Sequence, residues 1–141
     1  MSEAQSFDLV VIGGGPAGYV GAIRAAQLGL SVACIEREKL GGVCLNWGCI
    51  PTKALLATAE FYHRLTHDAP AWGIEADNVR YNWSKVIGRS RGVADNLNKG
   101  IGVLFKKNKI THIQGQARIT SPGVVQVTSA SSQPGPTVNA R

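Results

Sequence analysis

A glycine-rich turn between an apolar run and an alanine-rich segment constrains the fold of this 141-residue chain most strongly. The run FDLVVI at 7–12 predicts a buried parallel strand, and the residues 31–36 predict a second one. The segment 16–29 between them predicts a helix. The turn after the first strand has the pattern G-x-G-x-x-G, formed by Gly13, Gly15 and Gly18. The sequence therefore predicts a βαβ unit with a right-handed crossover in an α/β fold of the Rossmann type.

The three glycines of this turn have distinct roles in binding a nucleotide. Gly13 permits a tight turn, Gly15 lets a pyrophosphate approach the backbone, and Gly18 lets the helix pack closely on the strand. The N–H groups at the start of the helix favour a phosphate. Glu36 ends the second predicted strand, at the spacing of an acid that accepts hydrogen bonds from a ribose hydroxyl. The alternative is a structural turn with a surface glutamate, and the motif alone does not separate NAD from FAD.

Two cysteines follow the βαβ unit in the run GGVCLNWGCIPTKALL. The stretch 37–50 is predicted to be a glycine-rich loop or a distorted first turn, and 51–67 to be a helix. If one irregular helical turn separates Cys44 from Cys49, their Cα atoms can come within the roughly 4.4–6.8 Å that a disulfide needs. A nearby helix N-terminus and Lys53 favour a reactive thiolate. The pair therefore predicts a redox-active dithiol.

Other uses of the cysteines and histidines remain as alternatives. Structural zinc requires four nitrogen or sulfur ligands, and the chain offers only one further cysteine and three histidines. A pair of inert buried thiols is the other alternative. Cys34 lies in the apolar run VACI and is predicted to belong to the core. His63 and His67 have a spacing that can hold a metal, but Arg64 stands where the zinc-protease signature requires Glu. We expect exposed histidines and no metal site.

The second half of the chain predicts one long helix and several short strands. The stretch 68–82 is irregular, and a long helix follows over 83–104, with several glycines that disfavour its continuity. The segment 129–137 is predicted to be a polar loop. The strands between the helix and this loop are expected at 110–114, 117–120 and 124–128.

Charge and hydropathy bear on whether the chain binds nucleic acid or membranes and on where in the cell it is located. The net charge is +6, and nine basic residues but one acid lie between Arg80 and Arg118. We interpret this stretch as a solvated helix face rather than a nucleic-acid surface. No apolar run approaches the roughly 20 residues that span a bilayer. The start has neither a secretory signal nor a transit peptide, so we expect a cytoplasmic protein without a membrane partner.

Three stretches together resemble the start of the flavin-dependent pyridine-nucleotide disulfide oxidoreductases. They are GGGPAGYVGAIRAAQLG, the acid Glu36, and LGGVCLNWGCIPTKALL. The part CIPTKALL is more similar to the dihydrolipoamide dehydrogenase branch than to glutathione reductases. The resemblance implies an α/β, Rossmann-like FAD-binding domain with a parallel sheet, long helices and a small antiparallel β meander. Residues 1–141 would be its incomplete N-terminal part, without the NAD-binding, central and dimerisation domains of the family.

The resemblance also implies which residues bind FAD. Glu36 would contact the adenosine ribose, the backbone of Gly115 the adenine side, and Lys53 would lie near the reactive nitrogen of the flavin. Gly42 and Cys44 would line the flavin region. The whole implied set is Gly13, Gly15, Gly18, Glu36, Gly42, Cys44, Lys53 and Gly115.

The catalytic roles come from the same resemblance. Cys49 would face the flavin as the charge-transfer thiolate, and Cys44 would exchange with the substrate disulfide. Electrons would pass from dihydrolipoamide through the Cys44–Cys49 disulfide and FAD to NAD. The implied partners are the lipoamide-bearing acyltransferase of a 2-oxoacid dehydrogenase complex and a second copy in a homodimer. We expect the chain alone to be inactive, since the partner subunit supplies the acid–base pair in this family.

Three other functions remain open at this point. The chain could belong to a related reductase that acts on glutathione or another disulfide. It could also be a non-catalytic FAD-binding module, in which the thiols do no chemistry. Nucleic-acid binding through the basic helix is the third alternative, and it predicts an affinity that depends strongly on salt.

Overall fold

The computed structural model describes residues 5–129 and 133–141. These residues contain seven strands and four α-helices. The strands are β1 (Gln5–Phe7), β2 (Leu9–Ile12), β3 (Val32–Glu36), β4 (Thr111–Gln114), β5 (Gln116–Ser121), β6 (Val124–Thr128) and β7 (Pro134–Ala140). The helices are α1 (Pro16–Gln27), α2 (Gly42–Asn46), α3 (Cys49–His63) and α4 (Trp83–Lys107). A π-helical turn, Arg64–Asp68, and a 3₁₀ turn, Ala69–Trp72, follow α3.

The strands form two sheets. The order β2-β3-β4 is entirely parallel, with α1 as the crossover between its first two strands. The second sheet has the order β1-β7-β6-β5, in which β5, β6 and β7 form an antiparallel meander and β1 pairs parallel to β7. This architecture confirms the predicted α/β fold with a βαβ unit and a small meander.

Strand β3 belongs to the parallel sheet, which lies between the helices on one side and the meander on the other. It is buried along its whole length. Val32 and Cys34 belong to the core that the parallel sheet shares with the helices, where they join Ala22 of α1 and Phe105 of α4. The alternate residues of β3, such as Ile35, pack with the meander. Side chains alternate between the faces of a strand, so a run of five apolar or buried positions fits a strand covered on both sides.

The prediction of one strand over 7–12 is wrong, because the chain passes from one sheet to the other at Asp8. Strand β1 before this residue and strand β2 after it belong to different sheets. The Asp8 N–H donates to the Ser31 carbonyl oxygen at 3.0 Å, and an Asp8 carboxylate oxygen accepts from the Ser31 N–H at 2.9 Å. These bonds hold the crossing point against the turn before β3. The Ser31 hydroxyl also donates to an Asp8 carboxylate oxygen at 2.5 Å. This bond, and after it the bond from the Ser31 N–H, lower the pKa of the Asp8 carboxyl, since a hydrogen-bonded carboxylate favours its charged form.

The predicted loop 129–137 is also wrong in part, because β7 begins at Pro134. Residues 130–132 of that loop lie outside the described residues. Pro134 and Pro136 lack an N–H, but β1 pairs only with the later part of β7, from Val138 onward. The prolines therefore lie where β7 has β6 as its neighbour and its other side is an edge.

The long helix runs without a break from Trp83 to Lys107. The side chain of Asn82 caps its start by accepting from the Lys85 N–H at 3.0 Å. Its glycines do not interrupt it, and a Cβ atom at Gly88 or Gly100 would meet open space. Strand β4, predicted as a separate piece, follows this helix and pairs parallel with β3. None of the described helices is both long enough and apolar enough to cross a membrane.

Candidate functional site

The glycine turn connects β2 to α1 tightly, with close backbone packing. Gly13 has φ +98°, a conformation that favours glycine, and its N–H donates to the Ile35 carbonyl oxygen at 2.8 Å. A Cβ atom at Gly18 would lie 1.9 Å from the Gly13 carbonyl oxygen, so α1 packs against the turn itself. A Cβ atom at Gly15 would meet nothing within 4 Å, which leaves free space beside this part of the backbone.

The first turn of α1 offers backbone donors to an anion. The helix begins at Pro16, and its N-cap residue is Gly15. No side chain of a described residue caps the helix by a hydrogen bond, and its first turn contains no acidic residue. The first N–H groups of a helix have no partner within it, and the helix dipole adds positive potential there. The start of α1 can therefore bind a phosphate.

Glu36 lies close to this turn at the end of β3. Its Oε2 atom accepts from the Gly14 N–H at 2.7 Å, and its Oε1 atom accepts from the Glu38 N–H at 2.8 Å. Because a carboxylate has about four acceptor positions, these two bonds leave capacity for a ligand. The side chain is buried and fixed by backbone groups, so it is presented in one orientation.

A cleft of about 280 Å³ brings together three of the residues that the sequence singled out, Gly13, Glu36 and Gly115. Gly115 has φ +155°, and its N–H donates to the Glu36 carbonyl oxygen at 2.9 Å. A Cβ atom at Gly115 would lie 2.6 Å from the Thr128 carbonyl oxygen, so the backbones approach closely here. The other residues that line the cleft are Ile12, Ile35, Arg37, Gln116 and Ala117.

The cysteine-bearing segment packs directly on the glycine turn. The Gly41 N–H donates to the Gly14 carbonyl oxygen at 2.7 Å. A Cβ atom at Gly42 would lie 2.8 Å from the Cα atom of Gly15, and Gly42 has φ +57°. The segment predicted as a loop or distorted turn therefore contains a defined short helix, α2, which starts at the nucleotide turn.

The two cysteines of this segment face each other. Cys44 lies in α2 and Cys49 opens α3, while Gly48 between them packs against the backbone of Cys44. Both are free thiols in this structure. Hydrogen-bonding interaction with the Cys49 thiol is the main cause that raises the pKa of Cys44, and lost solvation is the second. Lys53, one turn into α3, has a smaller opposite effect. The two thiols therefore lie close enough for Cys49 to change the pKa of Cys44.

Cys34 is separate from this pair and belongs to the core, as predicted. It is fully buried in β3, and burial raises the pKa of its thiol to about 11. Its sulfur lies 4.0 Å from the Gly13 carbonyl oxygen.

Sequence reasoning missed a polar network that holds α2 in place. The buried side chain of Asn46 donates to the carbonyl oxygens of Leu40 and Gly42, both at 2.9 Å. Asn98 of α4 also donates to the Leu40 carbonyl oxygen, and it donates to the Asn46 Oδ1 atom at 3.3 Å. These asparagines carry no sequence motif, so only their position in the fold identifies them.

Two arginines of the exposed basic stretch also have structural hydrogen-bond partners. Arg91 donates to the Asn46 carbonyl oxygen at 2.9 Å, at the end of α2. Arg89 donates to the Ala54 carbonyl oxygen at 3.0 Å in α3. Both arginines are exposed, but each joins α4 to the cysteine-bearing helices.

The histidines expected to be exposed are exposed. The rings of His63 and His67 stack with centroids 4.4 Å apart, and the His63 Nδ1 atom lies 3.8 Å from an Asp68 carboxylate oxygen. Within residues 5–129 and 133–141, no group of three or more His, Cys, Asp or Glu side chains is placed to hold a metal ion.

An apolar groove of about 340 Å³ lies between α3 and the start of α4. Several of its residues are large and exposed, including Leu56 and Trp83, each 63% exposed. Its lining consists of Thr52, Leu55, Leu56, Thr58, Ala59, Tyr62, Tyr81, Trp83 and Val86.

Comparison with known proteins agrees with this geometry. Residues 7–134 match the family described as pyridine nucleotide-disulphide oxidoreductase. The chain is 51% identical to the dihydrolipoyl dehydrogenase of Rhizobium etli over 131 residues, which are 93% of this chain and 27% of that protein. It is 50% identical to the dihydrolipoyl dehydrogenase of Bacillus subtilis over 121 residues, which are 86% of this chain and 25% of that protein.

The sequence identity to a reductase with a different name is only slightly lower. The leghemoglobin reductase of Glycine max is 46% identical over 127 residues, which are 89% of this chain and 24% of that protein. The chain therefore spans about a quarter of the length of the curated relatives that it matches.

Proposed function

This chain belongs to the pyridine nucleotide-disulphide oxidoreductase family, and we propose that residues 1–141 form the N-terminal part of an FAD-binding domain in a dihydrolipoamide dehydrogenase. The whole protein would oxidise dihydrolipoamide to lipoamide and reduce NAD. Its NAD-binding, central and dimerisation domains would correspond to the remaining length of the relatives. The observation that carries the proposal is the facing pair Cys44 and Cys49 on a segment packed against the glycine turn.

The residues of the cleft and the turn fit FAD. The start of α1 and the free space at Gly15 suit the diphosphate, and the fixed carboxylate of Glu36 suits a ribose hydroxyl. Gly115 lines the same cleft as Glu36 and would contact the adenine side. When bound, the flavin supplies the two-electron chemistry that connects the dithiol to NAD. The proposed binding set is Gly13, Gly15, Gly18, Glu36, Gly42, Cys44, Lys53 and Gly115.

The cysteines carry out thiol–disulfide exchange. A substrate thiolate attacks the Cys44 sulfur of the oxidised pair, the Cys44–Cys49 bond breaks, and Cys49 leaves as a thiolate. The second substrate thiol then attacks the mixed disulfide and transfers its proton to Cys44, which is released as a thiol. Two electrons have passed from the substrate to the pair, and one proton has gone to Cys44 and one to solvent.

The division of roles between the two sulfurs rests on the leaving group. Accessibility alone would favour attack at Cys49, because Cys49 is exposed and Cys44 is partly buried. The raised pKa of Cys44 means that this thiol holds its proton in the reduced pair. Cys49 opens α3, whose N-terminus stabilises negative charge. The place of Cys49 at this helix N-terminus therefore supports Cys49 as the leaving sulfur that faces the flavin and Cys44 as the exchange thiol.

The proposed partners follow from the proposed activity. They are the lipoamide-bearing acyltransferase of a 2-oxoacid dehydrogenase complex and a second copy of the whole protein in a homodimer. We place the protein in the cytoplasm, where reducing conditions suit a disulfide that forms and breaks in every catalytic cycle.

Two related functions compete with this proposal. A reductase of another substrate is favoured by the similarity to leghemoglobin reductase, which nearly equals the similarity to the dihydrolipoyl dehydrogenases. A non-catalytic FAD-binding module would keep the cleft and leave the thiols without a chemical role.

A chimera tests the proposal. The corresponding quarter of the Rhizobium etli enzyme is replaced by this chain, and NAD reduction by dihydrolipoamide is compared with activity on glutathione disulfide. We expect turnover of dihydrolipoamide in the chimera and its loss in Cys44→Ser and Cys49→Ser. Equal or better activity on glutathione disulfide would favour the related reductase, and bound FAD without any thiol-dependent turnover would favour the binding module.

A further inference from the structure

We propose that Asn98 and Arg91 of α4 are positioning residues, which hold α2 so that the two cysteine sulfurs face each other and thereby set the reduction potential of the pair. The inference rests on the proposed function, because it assumes that Cys44 and Cys49 form a reversible disulfide. It goes beyond that function because it assigns control of the pair to a helix that carries neither cysteine.

Helix α2 has little to hold its shape by itself. It contains five residues and starts after a left-handed glycine, Gly41, without a side-chain cap from a described residue. Helices this short are unstable alone, because nucleation costs more than a single turn of hydrogen bonds returns. The position of Cys44 therefore depends on contacts that α2 makes with the rest of the protein.

Both ends of α2 are fixed from α4. Just before the start of α2, Asn98 donates to the Leu40 carbonyl oxygen. Asn98 also donates to the Oδ1 atom of Asn46, the last residue of α2, at 3.3 Å. At the end, Arg91 donates to the Asn46 carbonyl oxygen at 2.9 Å, a group that a helix terminus leaves without an internal partner. Leu45 of α2 is buried in the core beside Ile101 of α4, which adds an apolar contact to the polar ones.

The consequence concerns the ease with which the disulfide forms. Two thiols held face to face have a high effective concentration with respect to each other, and this favours the disulfide. Loosening α2 lets the Cys44 sulfur move away from Cys49 in the reduced state. The disulfide then becomes less stable, and the pair becomes easier to reduce.

The test measures the redox equilibrium of this chain with glutathione. The protein dithiol and glutathione disulfide give the protein disulfide and two glutathione thiols, so two electrons and two protons pass to glutathione. In Asn98→Ala we expect the equilibrium constant for disulfide formation to fall about fivefold or more, because the variant loses its hydrogen bonds to the Leu40 carbonyl oxygen and to Asn46, and one ordinary hydrogen bond alone accounts for about fivefold. Asn96→Ala is the matched control, because Asn96 is exposed two residues away on the same helix and should leave the constant unchanged.

A second variant keeps the test decisive if Asn98→Ala fails to fold. Arg91→Met keeps an apolar stem, removes the donor to the Asn46 carbonyl oxygen, and should lower the constant in the same direction. Circular dichroism confirms that each variant is folded. An unchanged constant in folded Asn98→Ala and Arg91→Met would overturn the inference. Failure of the unsubstituted chain to form a Cys44–Cys49 disulfide at any glutathione ratio would instead overturn the proposed function.

Discussion

Gly42 lies against Gly15 so closely that a Cβ atom at position 42 would be 2.8 Å from the Gly15 Cα atom. This contact joins the two motifs of the chain, because Gly15 belongs to the glycine turn and Gly42 opens the helix that carries Cys44. The distance between the turn and the thiol pair is therefore set by the packing of backbone on backbone.

Gly42→Ala should separate these two motifs. The new methyl group meets the Gly15 backbone, and the residue must keep φ +57°, so we expect a loss of about 1–3 kcal/mol in the free energy of unfolding. Urea unfolding measures the loss. Gly88→Ala is the control, since it points into open space on α4 and should stabilise the protein by up to about 1 kcal/mol.

Gly18→Ala should be more severe than any other glycine substitution in α1. Its methyl group would lie 1.9 Å from the Gly13 carbonyl oxygen, which cannot move without opening the turn. We expect a loss of about 3 kcal/mol or failure to fold. Gly21→Ala in the same helix meets nothing within 4 Å and should raise stability instead. Equal stability of the two variants in thermal unfolding would contradict the packing described for this turn.

Glu36→Gln should weaken FAD binding. A glutamine has one acceptor oxygen in place of two, so it cannot accept from Gly14 and Glu38 together and still present an acceptor to a ribose. We expect the dissociation constant for FAD, followed by flavin fluorescence, to rise about tenfold or more. Glu38→Gln changes an exposed acid next to it and should leave the affinity within about twofold. A Glu36→Gln protein with unchanged affinity would remove Glu36 from the site.

Cys34 should not react with alkylating agents in the folded protein. It is buried, and its pKa of about 11 leaves almost no thiolate near neutral pH. Mass spectrometry after brief treatment of the reduced protein with iodoacetamide should find a label on the exposed Cys49 and none on Cys34. Labelling of Cys34 without denaturant, at a rate comparable to Cys49, would show that β3 is not the closed core strand seen here.

Stability should fall in mild acid because of His112. Its ring meets Phe105 edge-on with centroids 6.3 Å apart, and loss of solvent around the ring lowers its pKa below the ordinary 6.5, although Glu36 opposes the shift. When the pKa of a group is lower in the folded than in the unfolded protein, its contribution to the free energy of unfolding is complete at a pH above the unfolded-state pKa. This contribution is lost as the pH falls through the folded-state pKa. The urea concentration at the midpoint of unfolding should therefore decrease when the pH is lowered from about 7.5 to about 5, and His112→Gln should make this decrease smaller. His67→Gln, at an exposed ring, should keep it in full.

Local patterns were enough to predict the βαβ unit, because its strands, turn and helix are determined by residues close in sequence. The same holds for Cys34, whose apolar neighbours place it in the core. The split at Asp8 and the strand at Pro134 depend on pairing with distant residues, Ser31 and Val125 among others, and periodicity contains no information about such partners.

The candidate site divides in the same way. The glycines, Glu36 and the cysteines belong to motifs whose spacing has a chemical reason, so they could be found in the sequence. Asn46 and Asn98 could not, since 52 positions separate them and their hydrogen bond exists only after α4 packs on α2. Arg91 was hidden for another reason: an exposed basic residue on a helix usually has no structural partner.

The most direct test of the account is to map the disulfide that mild oxidation produces in the native chain. Peptide mass spectrometry should find one bond, between Cys44 and Cys49, and a thiol count should fall from three to one and return to three after reduction. A disulfide that includes Cys34, or three free thiols after oxidation of a folded protein, would contradict the claim that the two sulfurs form a redox pair beside the nucleotide turn.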